Sequence, residues 1–76
     1  MKTEEHQYFL KAFGNNLKNV RKGLGYSQER LAYESEIELR QIGRIERGEI
    51  NTGIVSLKII AATMGIHYKA LMDFEI

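Results

Sequence analysis

Cysteine, proline and tryptophan are all absent from this chain of 76 residues. The lack of cysteine excludes a disulfide framework and a thiolate metal site. No long uncharged apolar run is present, so no membrane-spanning helix is predicted, and residues 1–7 are too polar for a signal peptide. These absences predict a cytoplasmic protein. The lack of proline fits a compact helical bundle but does not establish one.

Residue patterns that carry enzyme chemistry are also missing. The sequence offers no cysteine nucleophile, no nucleophile elbow and no glycine-rich phosphate loop. Its two histidines, His6 and His67, are far apart and lack the spacing of metal ligands. We therefore expect no catalytic residue, no metal site and no cofactor, and we predict that the chain is not an enzyme.

The size and charge of the chain are those of an ordinary small domain, with 43% apolar and 28% charged residues in a single unit over residues 1–76. The formal net charge is only +1, which does not by itself indicate a nucleic-acid partner. One short stretch nevertheless has three arginines opposed by two glutamates: Arg40, Arg44 and Arg47, against Glu38 and Glu46. Such a stripe is typical of a nucleic-acid contact, and equally of a solvated helix face with mixed charge.

Helical periodicity extends through most of the chain, and no β-type alternation is present. A first helix is predicted from His6 to Lys22, after residues 1–7 as a flexible or helical extension. Its apolar stripe consists of Phe9, Phe13, Leu17, Val20 and Leu24. A fourth helix is predicted over residues 53–64 and a short fifth over residues 68–74. The core-facing set of the fourth is Ile54, Leu57, Ile60, Ala61 and Met64.

Residues 27–48, SQERLAYESEIELRQIGRIERG, predict two short helices joined by a tight connection. The first runs from Ser27, a suitable N-cap, to Ser35. After a two-residue link, the second covers residues 38–47 and ends at Gly48, which suits the left-handed position after a helix. This is the size and order of a helix-turn-helix, which presents its second helix to the major groove of DNA.

Two motifs in this run are SQERLA at residues 27–32 and IGRIERG at residues 42–48. Both resemble the corresponding motifs of the lambda-repressor-like (XRE-type) DNA-binding domains, and the likeness extends from Phe13 to Leu71. The resemblance implies an all-α, five-helix bundle with its helix-turn-helix at about residues 27–47. It also implies a sequence-specific transcriptional regulator that binds double-stranded DNA.

The resemblance assigns a structural ion pair and a set of DNA contacts. Arg21 and Glu46 stand at positions that pair in the family, which implies a link between the first helix and the recognition helix. The alternative is two solvated charges. Arg40 and Arg44 are expected to read bases, because arginine fits the O6 and N7 acceptors of guanine. The implied DNA-contacting residues are Gln28, Glu38, Leu39, Arg40, Gln41, Arg44, Arg47 and Asn51.

Three positions depart from the family pattern. Glu36 occupies a turn position where glycine is usual, Glu38 replaces a serine or threonine, and Thr52 replaces a loop proline. A non-glycine residue in the left-handed conformation costs about 1 kcal/mol. Glu38 repels nearby phosphate but suits the amino group of a cytosine, so we include it among the expected base contacts.

The predicted fourth helix has a second apolar stripe opposite its core-facing set. Val55 and Ile59 belong to this stripe, and Phe74 and Ile76 add apolar surface at the C-terminal end. We predict that these four residues form a homodimer interface. The alternative is that some of them pack on the last helix or around Tyr8.

Two classes of function remain open at this level. The favoured class is a stand-alone regulator of transcription, such as a phage repressor or a restriction–modification controller. The alternative is a protein-interaction module, or the antitoxin of a toxin–antitoxin pair, that uses the same bundle with weak or partner-dependent DNA binding. The low net charge and the two acidic departures, Glu36 and Glu38, support this alternative.

Overall fold

Four α-helices and one 3₁₀ helix make up most of residues Thr3–Ile76, the part of the chain that this computed structural model describes. The α-helices are α1 (Thr3–Gly23), α2 (Gln28–Ser35), α3 (Leu39–Glu46) and α4 (Ile54–Thr63), and the 3₁₀ helix covers Tyr68–Met72. Helix α1 packs against α3 and the 3₁₀ helix, while α2 packs against α3 and α4. Within residues 3–76, no helix is both long and apolar enough to cross a membrane.

Helix α1 begins three residues earlier than predicted. It starts at Thr3 rather than His6, so the described part of the predicted extension is helical; Met1 and Lys2 lie outside the described residues. Glu4 and Glu5 in the first turn, with Arg21 and Lys22 in the last, complement the helix dipole at both ends. The two glutamates favour the start of the helix at Thr3, ahead of the apolar stripe that begins at Phe9.

The prediction of a fifth α-helix over residues 68–74 is wrong, because this segment forms a 3₁₀ helix that ends at Met72. Its backbone bonds span three residues, as in the bond from Ala70 N to His67 O at 3.0 Å. The side-chain amide of Asn16 donates to the carbonyl oxygens of Ala70 and Leu71, both at 3.0 Å. These two carbonyls are therefore bonded to α1.

The core lies where the five elements meet and consists of Phe13, Leu17, Leu31, Ile42, Ile45, Ile60, Ala61, Met64 and Leu71. Ile54 was predicted to face this core, but it is 82% exposed, so that prediction is wrong. In α4 only Ser56, Lys58 and Thr63 are polar. The apolar residues of α4 are distributed over all of its sides, so their periodicity does not determine which face of the helix is buried.

Two glycines allow close contact between α1 and the end of α3. A methyl group at Gly14 would overlap the carbonyl oxygens of Ile45 and Glu46. A Cβ atom at Gly48, whose φ is +73°, would lie 2.7 Å from the Cα of Lys11. Larger residues at these two positions would push α3 away from the bundle.

Candidate nucleic-acid interface

The turn between α2 and α3 sets the direction of α3. Ser27 caps α2 by accepting a hydrogen bond from Arg30 N at 2.9 Å. Glu36 ends α2 with φ 60° and ψ 25°, the left-handed conformation. Ser35 Oγ then accepts from Ile37 N at 3.2 Å, which stabilises the turn. Glu38 occupies the N-cap position of α3 without a side-chain capping bond.

Helix α3 has a buried face and an exposed face. Ile42, Ile45 and Glu46 are buried on the first. Of the predicted base contacts, Gln41 is half-buried, and the others are exposed: Glu38, Leu39, Arg40 and Arg44. These exposed side chains extend over two turns of α3, as is required of a helix face that reads bases in the major groove of DNA.

The buried ion pair between Arg21 and Glu46 joins α1 to α3. Arg21 Nε donates to Glu46 Oε2 at 2.6 Å and Nη2 donates to Oε1 at 2.9 Å. Arg21 Nη1 also donates to the carbonyl oxygen of Tyr26 at 2.8 Å. The hydrogen bonds to Glu46 raise the pKa of Arg21, whereas desolvation acts in the opposite direction. A bidentate pair of this kind fixes the position of the last turn of α3.

Gln28 takes part in this network. Its Nε2 donates to Glu46 Oε1 at 2.9 Å, so the carboxylate accepts hydrogen bonds from both α1 and the first residue of α2. The family resemblance implies a phosphate contact for Gln28, and nothing in the sequence signals its bond to Glu46. The two residues are 18 positions apart, and only the packing of α2 on α3 brings them together.

A second acidic residue, Glu49, contacts the arginines of the exposed face. Arg47 Nε donates to Glu49 Oε2 at 2.7 Å, and Arg47 Nη2 to Oε1 at 3.3 Å. Arg44 Nε lies 3.8 Å from the same Oε1. The hydrogen bonding between Arg47 and Glu49 lowers the pKa of Glu49 and raises the pKa of Arg47. Glu49 was not among the predicted site residues, because it follows the helix stop; its position two residues after Arg47 was the available signal.

Arg40, in the first turn of α3, and Asn51, in the loop after this helix, differ in their surroundings. Arg40 has no carboxylate within 4.0 Å among the described residues. Asn51 is exposed in the loop before α4 and borders an open apolar groove of about 850 Å³ between α1, α4 and the 3₁₀ helix. Arg40 is therefore unpaired in this part of the chain, whereas Arg47 is engaged.

The four residues predicted at a dimer interface do not share one environment. Val55 is 65% exposed, and Ile59 and Ile76 are exposed as well. Phe74 is half-buried and packs edge-on against Phe9, with ring centroids 5.5 Å apart. It also packs against Phe13 at 6.3 Å. Phe74 therefore packs within the molecule, against α1, which was the alternative to a place in the dimer interface.

Residues 17–71, most of the chain, match the helix-turn-helix family HTH_3. The chain belongs to this family of DNA-binding transcriptional regulators, which are not enzymes. This confirms the predicted class and the resemblance to XRE-type domains.

The most informative similarities are to controller proteins. The sequence is 33% identical over 63 residues to control protein C.BamHI of Bacillus amyloliquefaciens, covering 82% of this chain and 78% of that protein. The restriction-modification controller protein C.AhdI from Aeromonas hydrophila superposes with a TM-score of 0.79 at 34% identity, over 82% of this chain and 94% of that one. An HTH_3 family transcriptional regulator from Vibrio cholerae superposes with a TM-score of 0.82 at 31% identity, over 88% of this chain and 38% of that one.

Proposed function

We propose that this chain is a controller of a restriction–modification system, which binds its operator in the cytoplasm as a homodimer with α3 in the major groove. The observation that carries the proposal is that Arg40 and Arg44 are exposed on α3. The buried face of the same helix is held to both α1 and α2 by the hydrogen bonds of Glu46. A rigidly held helix with cationic side chains on its free edge suits base readout. Similarity to C.BamHI and C.AhdI supports the controller role.

The exposed side chains suggest a division of roles. Arg40 and Arg44 lie one turn apart and are proposed to bind guanine O6 and N7. Leu39, which is 43% exposed, suits the methyl group of a thymine. Glu38 suits a cytosine amino group, and Gln41 flanks these base contacts. Three residues are assigned to the phosphate backbone: Gln28, Arg47 and Asn51.

Selection of bound sequences from a random pool of DNA duplexes tests the function. We expect enrichment of two half-sites related by a two-fold axis and spaced by about one helical turn, roughly 10 bp. Affinity for the selected duplex should fall steeply with salt, because phosphate contacts release counterions. Absence of any duplex binding at low salt would refute the proposal. A methyltransferase or restriction endonuclease gene beside this one would support the controller role.

The exposed apolar surface of α4 is proposed as the centre of the dimer interface. Val55 and Ile59 lie on it, with Ile76 at the C-terminal end and Phe74 contributing only the edge that α1 leaves uncovered. Val55→Glu or Ile59→Glu should convert a dimer into a monomer in sedimentation velocity, because a charge in an apolar contact is costly. Tyr33→Glu, at an exposed position of α2, serves as a control for added negative charge. An unchanged dimer in both Val55 and Ile59 variants would exclude this interface.

A further inference from the structure

Glu49 follows the recognition helix, and its carboxylate contacts two of the arginines that we propose to bind DNA. Arg47 donates to both carboxylate oxygens, at 2.7 and 3.3 Å, and Arg44 Nε is 3.8 Å from one of them. We propose that Glu49 competes with DNA for these arginines: its carboxylate holds them in the free protein and thereby lowers the DNA affinity. This inference rests on the proposed function.

The backbone fixes Glu49 in this position. Gly48 N donates to Ile45 O at 3.0 Å and Glu49 N donates to Arg44 O at 2.9 Å, the two bonds of a Schellman motif. The positive φ of Gly48 reverses the chain so that Glu49 returns over the last turn of α3. Its side chain is therefore directed to the arginines by helix termination itself, and not by a chance contact of a mobile loop.

The chemistry of the contact explains the competition. A carboxylate and a phosphate both offer paired anionic oxygens to the planar guanidinium group. Arg47 uses its Nε–H and one Nη2–H toward Glu49, so this bidentate edge of the guanidinium is unavailable to a phosphate until that contact opens. The pair is solvent-exposed, with 59% of the Arg47 and 48% of the Glu49 side chain accessible. Exposed pairs are weak, so DNA can displace Glu49, at a loss of affinity.

Charge adds a second contribution in the same direction. Arg40, Arg44 and Arg47 are exposed, and so are Glu38 just before α3 and Glu49 just after it, so two carboxylates offset most of the charge of the three arginines. When DNA displaces Glu49, the freed carboxylate lies near phosphates and must take up a cation. This uptake offsets part of the counterion release that drives binding. Glu49 should therefore reduce both the affinity and its salt dependence.

Fluorescence anisotropy with a labelled random-sequence duplex of about three helical turns tests the inference directly. Glu49→Gln should bind about 1.4- to 5-fold more tightly than wild type, the range expected when a weak exposed pair no longer competes. Its plot of log affinity against log salt should be steeper by up to about one counterion.

Glu34→Gln is the matched control. It removes the same charge and opens the same type of exposed pair, Arg30 Nε to Glu34 Oε2 at 2.9 Å, but on α2. An equal gain in both variants would mean a general effect of net charge and would overturn the inference. Weaker binding by Glu49→Gln would also overturn it, because Glu49 would then contact DNA itself.

Two further measurements separate failure of this inference from failure of the proposed function. The gain from Glu49→Gln should shrink in an Arg47→Ala background, since the competition acts through Arg47. In the free protein, the Arg47 Nε–H signal should exchange with water faster in Glu49→Gln than in wild type. Unchanged exchange refutes the competition even if DNA binds. No binding by any variant at low salt refutes the proposed function, and this inference with it.

Discussion

The two arginine–glutamate pairs at the end of α3 are alike in geometry and opposite in consequence. Arg21 Nε and Glu46 Oε2 are 2.6 Å apart, and Arg47 Nε and Glu49 Oε2 are 2.7 Å apart. The first pair is buried, with side chains 6% and 2% exposed, and the second is open to solvent. Burial makes the first a fixed part of the fold, whereas water and salt make the second exchangeable.

This difference shows why contact distance alone does not reveal the role of an ion pair. Removing one partner of the buried pair leaves a desolvated charge without compensation, which is strongly destabilising. Removing one partner of the exposed pair leaves a charge that water solvates. The buried pair, Arg21–Glu46 (the inner pair), therefore positions α3. The exposed pair, Arg47–Glu49 (the outer pair), regulates the availability of the arginines that we propose to bind DNA.

Glu46→Ala should produce the largest effect. It leaves Arg21 buried without its carboxylate and frees the amide of Gln28, so the free energy of unfolding should fall by about 3–5 kcal/mol. Urea unfolding followed by circular dichroism measures this. Glu49→Ala is the control and should leave the unfolding midpoint almost unchanged. Similar losses for the two variants would contradict the contrast between the pairs.

Gly14→Ala should destabilise the same junction without changing any charge. The added methyl group overlaps the carbonyl oxygens of Ile45 and Glu46, and overpacking of this type costs about 1–3 kcal/mol. Gly23→Ala is the control on the same helix, because no atom lies within 4 Å of a Cβ built there. It should leave stability unchanged or slightly increased. Thermal unfolding of both variants would show whether close approach is what requires glycine at position 14.

Arg44→Ala tests the exposed face of α3. We expect a loss of about 1–3 kcal/mol confined to one base pair of the selected operator, because the side chain is assigned to a base. Arg47→Ala should instead weaken binding similarly on all sequences and reduce the salt slope by about one. Titration of the operator and its single-base variants measures both. A uniform loss for both variants would remove the distinction between base and phosphate contacts.

The pH dependence of the outer pair should be the smallest effect. The hydrogen bond from Arg47 holds the pKa of Glu49 below its usual range. A depressed folded-state pKa stabilises the protein above the unfolded-state pKa, and this contribution disappears as pH falls through the folded-state value. Wild type should therefore lose slightly more thermal stability than Glu49→Gln between about pH 5 and pH 3. Carbon-13 titration of the Glu49 carboxyl group should show a midpoint below that of an ordinary glutamate.

Local signals predicted the helical elements well where they were unambiguous. Ser27 is the observed N-cap of α2 and Gly48 follows α3 in the left-handed conformation. Leu31, Ile42 and Ile45 are buried as their spacing indicated. The predictions failed where local signals were evenly balanced, as at Ile54 in the uniformly apolar α4 and in the short C-terminal helix.

The sequence by itself determined the helix-turn-helix, because caps, periodicity and a glycine stop act between residues a few positions apart. It also placed arginines on one side of α3 and pointed to the family. Only the tertiary structure decided which charges are buried. The packing of α1 and α2 on α3 buries Glu46 with Arg21 and Gln28, which lie 25 and 18 positions away along the chain. The contact between Arg47 and Glu49, by contrast, is local. The contacts of Glu46 depend on how the helices pack in space, which no spacing along the chain encodes.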